Sequence, residues 1–512
     1  FHTGFLMPVH VDAAVIDPGL PPTAVLTPNP LVLECSNPAP ITLDASGSAD
    51  PESAGPLNFE WDFDLAGGDP LNFTVDAGPT GSATIAHAFT TPPTATHVAV
   101  RVTDAGALST IAVVPLIFKP IDLLAPVTVS PFTAGQIQLF NGNIDSASAN
   151  LVTGAGYVFL GVEAHNGSGA TAGASAKMRF FRTQDGVTWT PLTTLMATNP
   201  YGEIWWDYAI GVDLNGNVYG SYTVQDGPSY SGDFNHVLAV CPNFGTGAWS
   251  VANQDTSVFG QPNRHFVYND PTNANNVIDY LCYNNGPRMW RSSNGSAGPW
   301  TLTAPFGGNP NDARIFRKPS GDLVIPYIDA SGKNIRTQLS TNGGGSWTIV
   351  GSTPLDPSQF WIGGCPAMNP VDLTGNTMAF VYKLYIGAGT SGEAGIHCAK
   401  TTNGGATWSI VNTNVSTNIT YEPGDPGLIR ATYDAGGGLY ATYFQALWPP
   451  QGDCRGFVAY SPNDGTTFNS DFLVYDTNPQ PSWPGMQIAT MPDGCGVITA
   501  FSEFQVIKSR TM

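Results

Sequence analysis

The 512-residue chain carries 19 Lys+Arg against 39 Asp+Glu, a net charge of -20, with 58 glycines, 43 prolines and only 11% charged residues. A surface this acidic repels phosphate backbones and anionic lipid, which argues against nucleic acid and membrane surfaces as partners. No run of 18 or more apolar residues offers a transmembrane helix. Low charge with abundant Gly, Pro, Asn, Thr and aromatics suits many short strands joined by tight turns, so the expected fold class is all-β.

Residues 1-21 form an apolar, Pro-punctuated lead (Phe5, Leu6, Met7, Val9, Val11, Val15, Ile16) with no core of its own. It is expected to lie as a strand or tail on the first domain, or to be donated through residues 1-20 to a neighbouring copy's sheet edge, which would be self-assembly. A chain that opens on Phe1 also reads as a processed export product.

Residues 22-120 alternate as a β-sandwich does. Ile41-Thr42-Leu43-Asp44, Phe59-Glu60-Trp61-Asp62-Phe63-Asp64 and His97-Val98-Ala99-Val100-Arg101-Val102-Thr103-Asp104 each turn one face inward, with Trp61 and Phe63 as the expected core plug. With Ala49-Asp50-Pro51-Glu52 and the closing Val102-Thr103-Asp104-Ala105-Gly106, these segments resemble a PKD domain, an immunoglobulin-like module. The resemblance implies an extracellular spacer or adhesion module rather than a catalyst. It departs where the family has Gly-Asp-Gly after the Trp-Asp-Phe strand and this chain has Asp64-Leu65-Ala66-Gly67-Gly68-Asp69.

From residue 121 to 512 a turn box recurs. Ser340-Thr341-Asn342-Gly343-Gly344-Gly345-Ser346-Trp347, Thr401-Thr402-Asn403-Gly404-Gly405-Ala406-Thr407-Trp408 and Ser461-Pro462-Asn463-Asp464-Gly465-Thr466-Thr467-Phe468 are nearly one string. Looser copies end at Trp189, Trp249 and Trp300, so the aromatics stand about 50 to 60 residues apart, a repeat-protein period. Each box follows a strand and, further upstream, a hairpin, which gives the four antiparallel strands of a propeller blade. The boxes resemble Asp boxes, the repeats of sialidases and many other propellers. Their expected roles are structural: the Asn or Asp side chain holds the turn, Gly takes positive φ and the aromatic packs between blades.

Six boxes suggest six blades, but inner hairpins number seven, near 137-162, 205-223, 264-283, 312-328, 366-383, 427-444 and 484-502. The seventh lacks an outer strand, which Ala125-Pro126-Val127-Thr128-Val129-Ser130 can supply by closing the ring. Seven blades are therefore preferred to six.

The starts of innermost strands, with the loops before them, line a propeller's axial face. Those positions hold Glu203, Trp205, Trp206 and Asp207; Arg264 and His265; Asp312 and Arg314; Trp361; Glu422, Asp425 and Arg430; Trp483 and Gln487. Tryptophans stack on sugar rings while arginines and carboxylates hydrogen-bond to them. Trp205, Trp206, Arg264, His265, Arg314, Trp361, Arg430 and Trp483 are thus the expected ligand-binding set, against the plainer reading that many of them satisfy loop backbone. Asp207, Glu422 and Asp425 are the candidate catalytic carboxylates, since glycoside hydrolysis needs two carboxyls roughly 5 to 9.5 Å apart. The sialidase resemblance implies further needs: a Tyr nucleophile with a Glu, an Asp acid/base and three arginines, one in an Arg-Ile-Pro motif on the first blade. Here Arg179 and Arg182 stand at the first box instead, and the nearest string, Arg314-Ile315-Phe316, is in the fourth unit. That resemblance implies fold and not activity.

The seven cysteines (35, 241, 282, 365, 398, 454, 495) lack CxxC spacing, so no zinc or redox site is expected and they form disulfides or buried thiols. No cofactor is expected, although the Asp-rich turns Asp44 to Asp50 and Asp62 to Asp69 could hold Ca²⁺ as readily as they form Asx turns. The function these features imply is a secreted or cell-surface carbohydrate-binding and adhesion protein whose partner is a glycan or glycoprotein. The alternatives are a glycoside hydrolase and a structural subunit of an extracellular filament or surface layer.

Overall fold

The computed structural model describes residues 19–29, 32–34, 41–51, 55–65, 68–88, 97–115, 117–119, 125–130, 151–164, 177–196, 204–226, 233–258, 262–283, 288–303, 313–329, 334–354, 359–386, 395–415, 429–446, 454–468, 471–477, 486–494, 496–503 and 506–512. Residues 1–18 of the N-terminal lead therefore lie outside them. Regular structure is almost wholly β, and the chain divides into two compact units, the first of residues 1–31, 39–89 and 95–116 and the second of 32–38, 90–94 and 117–512.

The first unit has a three-stranded sheet, Thr27–Asn29, Ile41–Asp44 and Thr84–His87, and a four-stranded sheet in the order Ala77–Thr80, Asn58–Asp62, His97–Thr103, Ser109–Pro115. Alternation buries Ile41 and Leu43 on one sheet and Phe59, Trp61, Val98, Val100 and Val102 on the other. Trp61 is fully enclosed, as the pattern requires of a core plug. Phe63 is not part of that core. Its strand ends at Asp62, so the ring leaves the alternation, is partly exposed and stacks on His87 with centroids 3.8 Å apart.

The second unit is a seven-bladed propeller of four-stranded antiparallel sheets, blade 1 carrying a fifth short strand, Leu195–Met196, paired with Lys177–Thr183. From the innermost strand outward, blade 1 is Leu151–Gly154, Tyr157–Ala164, Lys177–Thr183 and Thr190–Pro191; blade 2 is Ile204–Val212, Val218–Asp226, Asp233–Cys241 and Ser250–Val258. Blade 3 is Pro262–Asn269, Val277–Tyr283, Arg288–Ser292 and Thr301–Thr303; blade 4 is Phe316–Arg317, Leu323–Ile328, Asn334–Ser340 and Thr348–Pro354. Blade 5 is Gln359–Met368, Met378–Ile386, Gly395–Thr401 and Ser409–Asn412; blade 6 is Arg430–Tyr433, Leu439–Ala446, Cys454–Ser461 and Asp471–Thr477. Blade 7 joins Met486–Thr490, Val497–Glu503 and Val506–Thr511 to Val127–Ser130, which pairs antiparallel with Val506–Thr511. The ring thus closes on a strand borrowed from its own start, which covers the outer edge of Val506–Thr511.

The box aromatics sit at successive junctions. Trp189 packs on the core between blades 7 and 1, Trp249 between 1 and 2, and Trp300 between 2 and 3. Trp347, Trp408 and Phe468 continue the series to the junction of blades 5 and 6. In the three matching boxes the first hydroxyl accepts from a glycine N–H: Gly344 to Ser340 Oγ at 2.8 Å, Gly405 to Thr401 Oγ1 at 3.0 Å and Gly465 to Ser461 Oγ at 2.8 Å. The Asn side-chain oxygen then accepts from Ser346, Thr407 or Thr467 N–H at 2.8 to 3.0 Å. Where two boxes place Gly343 and Gly404 at positive φ, the third holds Asp464 at φ 56°. A short polar residue tolerates that region, and its carboxylate is held by Lys400 Nζ at 2.8 Å and Asn369 Nδ2 at 2.6 Å.

Candidate functional site

The innermost strands place Trp205, Trp206 and Asp207 near the beginning of blade 2, Arg264 near the beginning of blade 3 and Trp361 near the beginning of blade 5. Those side chains, and all of Glu203, Asp312, Glu422, Asp425 and Trp483, lie outside the described residues. The facing of the candidate carboxylates is therefore not among the described geometry. Four members of the axial set have described side chains: His265, Arg314, Arg430 and Gln487.

Three of these meet at the beginning of blade 6's innermost strand. Arg430 is only 1% exposed; its Nε donates to Gln487 Oε1 of blade 7 at 3.3 Å and its Nη1 to the Ile429 carbonyl at 3.0 Å. Arg314, from the run into blade 4, donates Nη1 to the Ala431 carbonyl at 3.5 Å and stays partly exposed. Arg430 is thus a tie between blades 6 and 7, which corrects its expected place on an open ligand surface. Burying a guanidinium is costly unless acceptors take its N–H groups, and here they come from a side-chain amide and backbone. Farther along the inner strands, threonine hydroxyls link three blades: Thr153 Oγ1 donates to the Thr490 carbonyl, Thr490 Oγ1 to the Tyr433 carbonyl at 2.6 Å, and Thr432 and Thr490 hydroxyls lie 3.1 Å apart.

His265 is fully enclosed between blades 2 and 3 and faces no surface. Strand alternation explains the correction, because neighbouring residues on a strand point to opposite faces and His265 takes the one that meets blade 2. There its Nδ1 lies 3.1 Å from Ser221 Oγ, and its ring centroid is 5.4 Å from that of His236. His236 Nε2 is 2.6 Å from Asp279 Oδ2, both side chains are wholly buried, and Trp290 stacks on the His236 ring at 4.6 Å. Burial, then the neighbouring His236, holds the His265 imidazole well below the usual histidine range.

Sequence reasoning missed a second repeat, a carboxylate at the turn after the innermost strand. Asp213 accepts from Asn217 N–H at 2.9 Å and Tyr219 OH at 3.0 Å; Asp434 accepts from Gly438 N–H at 2.7 Å and Tyr440 OH at 3.1 Å. The signal was legible as Asp213-x-x-x-Asn217-x-Tyr219 and Asp434-x-x-x-Gly438-x-Tyr440. Burial pushes Asp434 up to about 7 against those hydrogen bonds. The arginine of the first box is structural as well: the Arg182 guanidinium lies over the Tyr157 ring and donates to the Phe244 carbonyl at 3.1 Å.

In the sandwich, the carboxylates of Asp62, Asp64 and Asp76 can bring one oxygen each within 4.8 Å of one another. Asp62 accepts from Asp64 N–H at 3.1 Å and Thr74 N–H at 2.7 Å, and Asp76 accepts from Phe63 N–H at 2.7 Å. Those are the bonds that Asp-rich turns make without a cation. Of the cysteines, Cys241, Cys365 and Cys398 are buried free thiols; burial pushes Cys241 up to about 11, so it is inert as a nucleophile.

No protein-family model matches the chain, and no curated protein matches it. Solved structures resemble it at low identity. A polysaccharide lyase, an ulvan lyase bound to a GlcA–Rha3S saccharide, is 11% identical with a TM-score of 0.47 over 73% of this chain and 95% of its own. The α-L-arabinofuranosidase of Fusarium graminearum with arabinobiose is 11% identical with a TM-score of 0.43, over 76% and 98%. The NanB sialidase of Streptococcus pneumoniae is 11% identical with a TM-score of 0.37, over 81% and 83%.

Proposed function

We propose that the protein recognises carbohydrate at the axial ends of its innermost strands, on the side where those strands begin. The observation that supports this reading is one of placement: Trp205 and Trp206, Arg264 and Trp361 fall near the starts of the innermost strands of blades 2, 3 and 5. Aromatic faces beside arginines suit sugar rings, which present C–H faces for stacking and hydroxyls for hydrogen bonds. The solved structures named above are those of enzymes of glycan chemistry, but their likeness is one of fold, and the reading rests on this chain's own residues. In this reading the sandwich is a PKD-like spacer, the boxes are Asp boxes, and the protein works outside the cell or on its surface, where residues 1-20 join copies if it assembles.

Glycan-array binding without release of reducing ends is the expected result. Trp361→Ala is expected to weaken binding by about tenfold or more, the scale of one removed aromatic anchor; binding unchanged in Trp361→Ala, Trp205→Ala and Arg264→Ala alike would remove the axial site. Glycoside hydrolysis is the second reading, favoured by Asp207 lying on the same strand as Trp205 and Trp206. It predicts reducing-end release that disappears in Asp207→Asn or Glu422→Gln, and no release from any glycan the protein binds would defeat it.

A further inference from the structure

Among the described residues, six of the seven blade junctions hold larger apolar clusters; the junction of blades 2 and 3 has a small one, Tyr219, Leu238, Val240 and Val277, beside a polar cluster. The polar cluster is Ser221, Thr223 and His236 from blade 2 with His265 and Asp279 from blade 3, all of them fully enclosed. Register accounts for the grouping. Thr223 pairs with His236 across blade 2, and His265 and Asp279 lie on adjacent strands of blade 3 on the face turned toward it. His236 Nδ1, His265 Nε2, Asp279 Oδ1 and Thr223 Oγ1 have no protein partner.

We propose that this junction is an acid-sensitive seam: a proton taken up by the enclosed His265 meets no carboxylate to balance it, and blades 2 and 3 separate there before the other junctions yield. The single buried carboxylate is already bonded to His236. Among the described residues, no carboxylate lies within ion-pair distance of His265. The other charged or titratable groups facing the pair among the described residues are balanced or neutral. Asp255 of blade 2 is paired with Arg288 of blade 3 at the outer rim, and Tyr219 donates its hydroxyl to Asp213. A proton on His265, 5.4 Å from the His236 ring in a site closed to water, therefore has desolvation against it and no carboxylate beside it among the described residues.

The sign follows from His265, which the folded seam keeps neutral. Its contribution to stability is complete above the unfolded histidine value of about 6.5 and is lost as the pH falls below it.

Hydrogen exchange of the full chain, followed by mass spectrometry and corrected for intrinsic rate, tests the seam without any ligand, so the outcome is separate from the glycan reading. From about pH 7.5 to about pH 5, the strands Val218–Asp226, Asp233–Cys241 and Val277–Tyr283 are expected to lose protection by about tenfold per pH unit for each proton taken up. Met378–Ile386 and Leu439–Ala446 are expected to keep theirs. Protection lost equally by all blades, or retained by blades 2 and 3, overturns the proposal. A His265→Gln protein that folds and keeps the same steep dependence overturns it too; should that variant not fold, the wild-type profile decides.

Discussion

The junction of blades 1 and 2 and the junction of blades 2 and 3 are built from the same repeat and share blade 2, yet they are held by different forces. The first packs Phe159, Met178, Phe180, Tyr208, Ile210, Tyr222 and Val237 into a continuous apolar core capped by Trp249. The second sets a hydrogen-bonded His–Asp pair, a second histidine and two hydroxyl groups beside a smaller apolar cluster. Blade geometry, set by strand pairing and the turn boxes, is thus indifferent to the chemistry of the faces it presses together. Apolar packing holds at any pH, whereas a buried polar junction holds only while its protons are correctly placed.

The largest expected effect is on the apolar side. Phe180 is 1% exposed and lies 4.6 Å from the Trp249 ring, so Phe180→Ala opens a cavity that a junction of two rigid sheets cannot collapse. A loss of about 3 to 5 kcal/mol is expected, read as a fall in melting temperature that does not change between about pH 5 and 8. On the polar side Asp279→Ala leaves His236 buried without its acceptor and is expected to cost about 3 kcal/mol. The double variant His236→Leu with Asp279→Leu sharpens the contrast. If the polar pair contributes geometry more than energy, the double variant stays within about 1 kcal/mol of the wild type. A double variant as unstable as Asp279→Ala would mean that the two junctions are not interchangeable in chemistry after all.

Asp434 carries the comparison to a third place with the opposite sign. Its carboxyl is raised to about 7 by burial, so the folded state holds a proton that the unfolded chain releases near 3.8. Stability from this group is therefore present at low pH and declines as pH rises from about 4 to about 7, where the His265 junction gains. Asp434→Asn keeps the acceptor for Gly438 N–H and offers Tyr440 a donor. It is expected to gain about 2 kcal/mol at about pH 8 and little at about pH 4, in parallel denaturant titrations. A variant less stable than wild type at the higher pH would show the charged carboxylate to be well accommodated.

Much of this was legible in the chain and some of it could not have been. The closing strand Val127–Ser130 was readable because the last hairpin lacked an outer partner, and ring closure leaves few other candidates. Trp61 was readable from alternation, but Phe63 was not, because alternation continues on paper past the point where the strand stops at Asp62. Arg264 and His265 stood together at a strand start. Period-2 geometry says that the two turn to opposite faces of the blade, and only the tertiary register says that His265 takes the face against blade 2. The Asp213 and Asp434 turn carboxylates were spelled out by their spacing to Tyr219 and Tyr440, and went unread because the stronger box repeat drew the pattern search to the outer strands.

The smallest expected effects belong to the boxes, which both junctions share. Asn403 accepts from Thr407 N–H at 3.0 Å and donates to Thr407 Oγ1 at 2.8 Å on an exposed turn, while Thr401 Oγ1, whose hydroxyl donates to Asn403 Oδ1 at 2.9 Å, holds Gly405 N–H. Asn403→Ala therefore removes bonds that water can partly replace and leaves the second anchor in place. About 1 kcal/mol is expected, with the same value for Asn342→Ala and Asn463→Ala, whose bonds repeat those of Asn403. The three sites share no partners, so the triple variant is expected to lose the sum. A loss well beyond the sum would mean that the boxes set the angle between blades cooperatively, and the indifference of the junctions to their chemistry would then rest on the turns rather than on strand pairing.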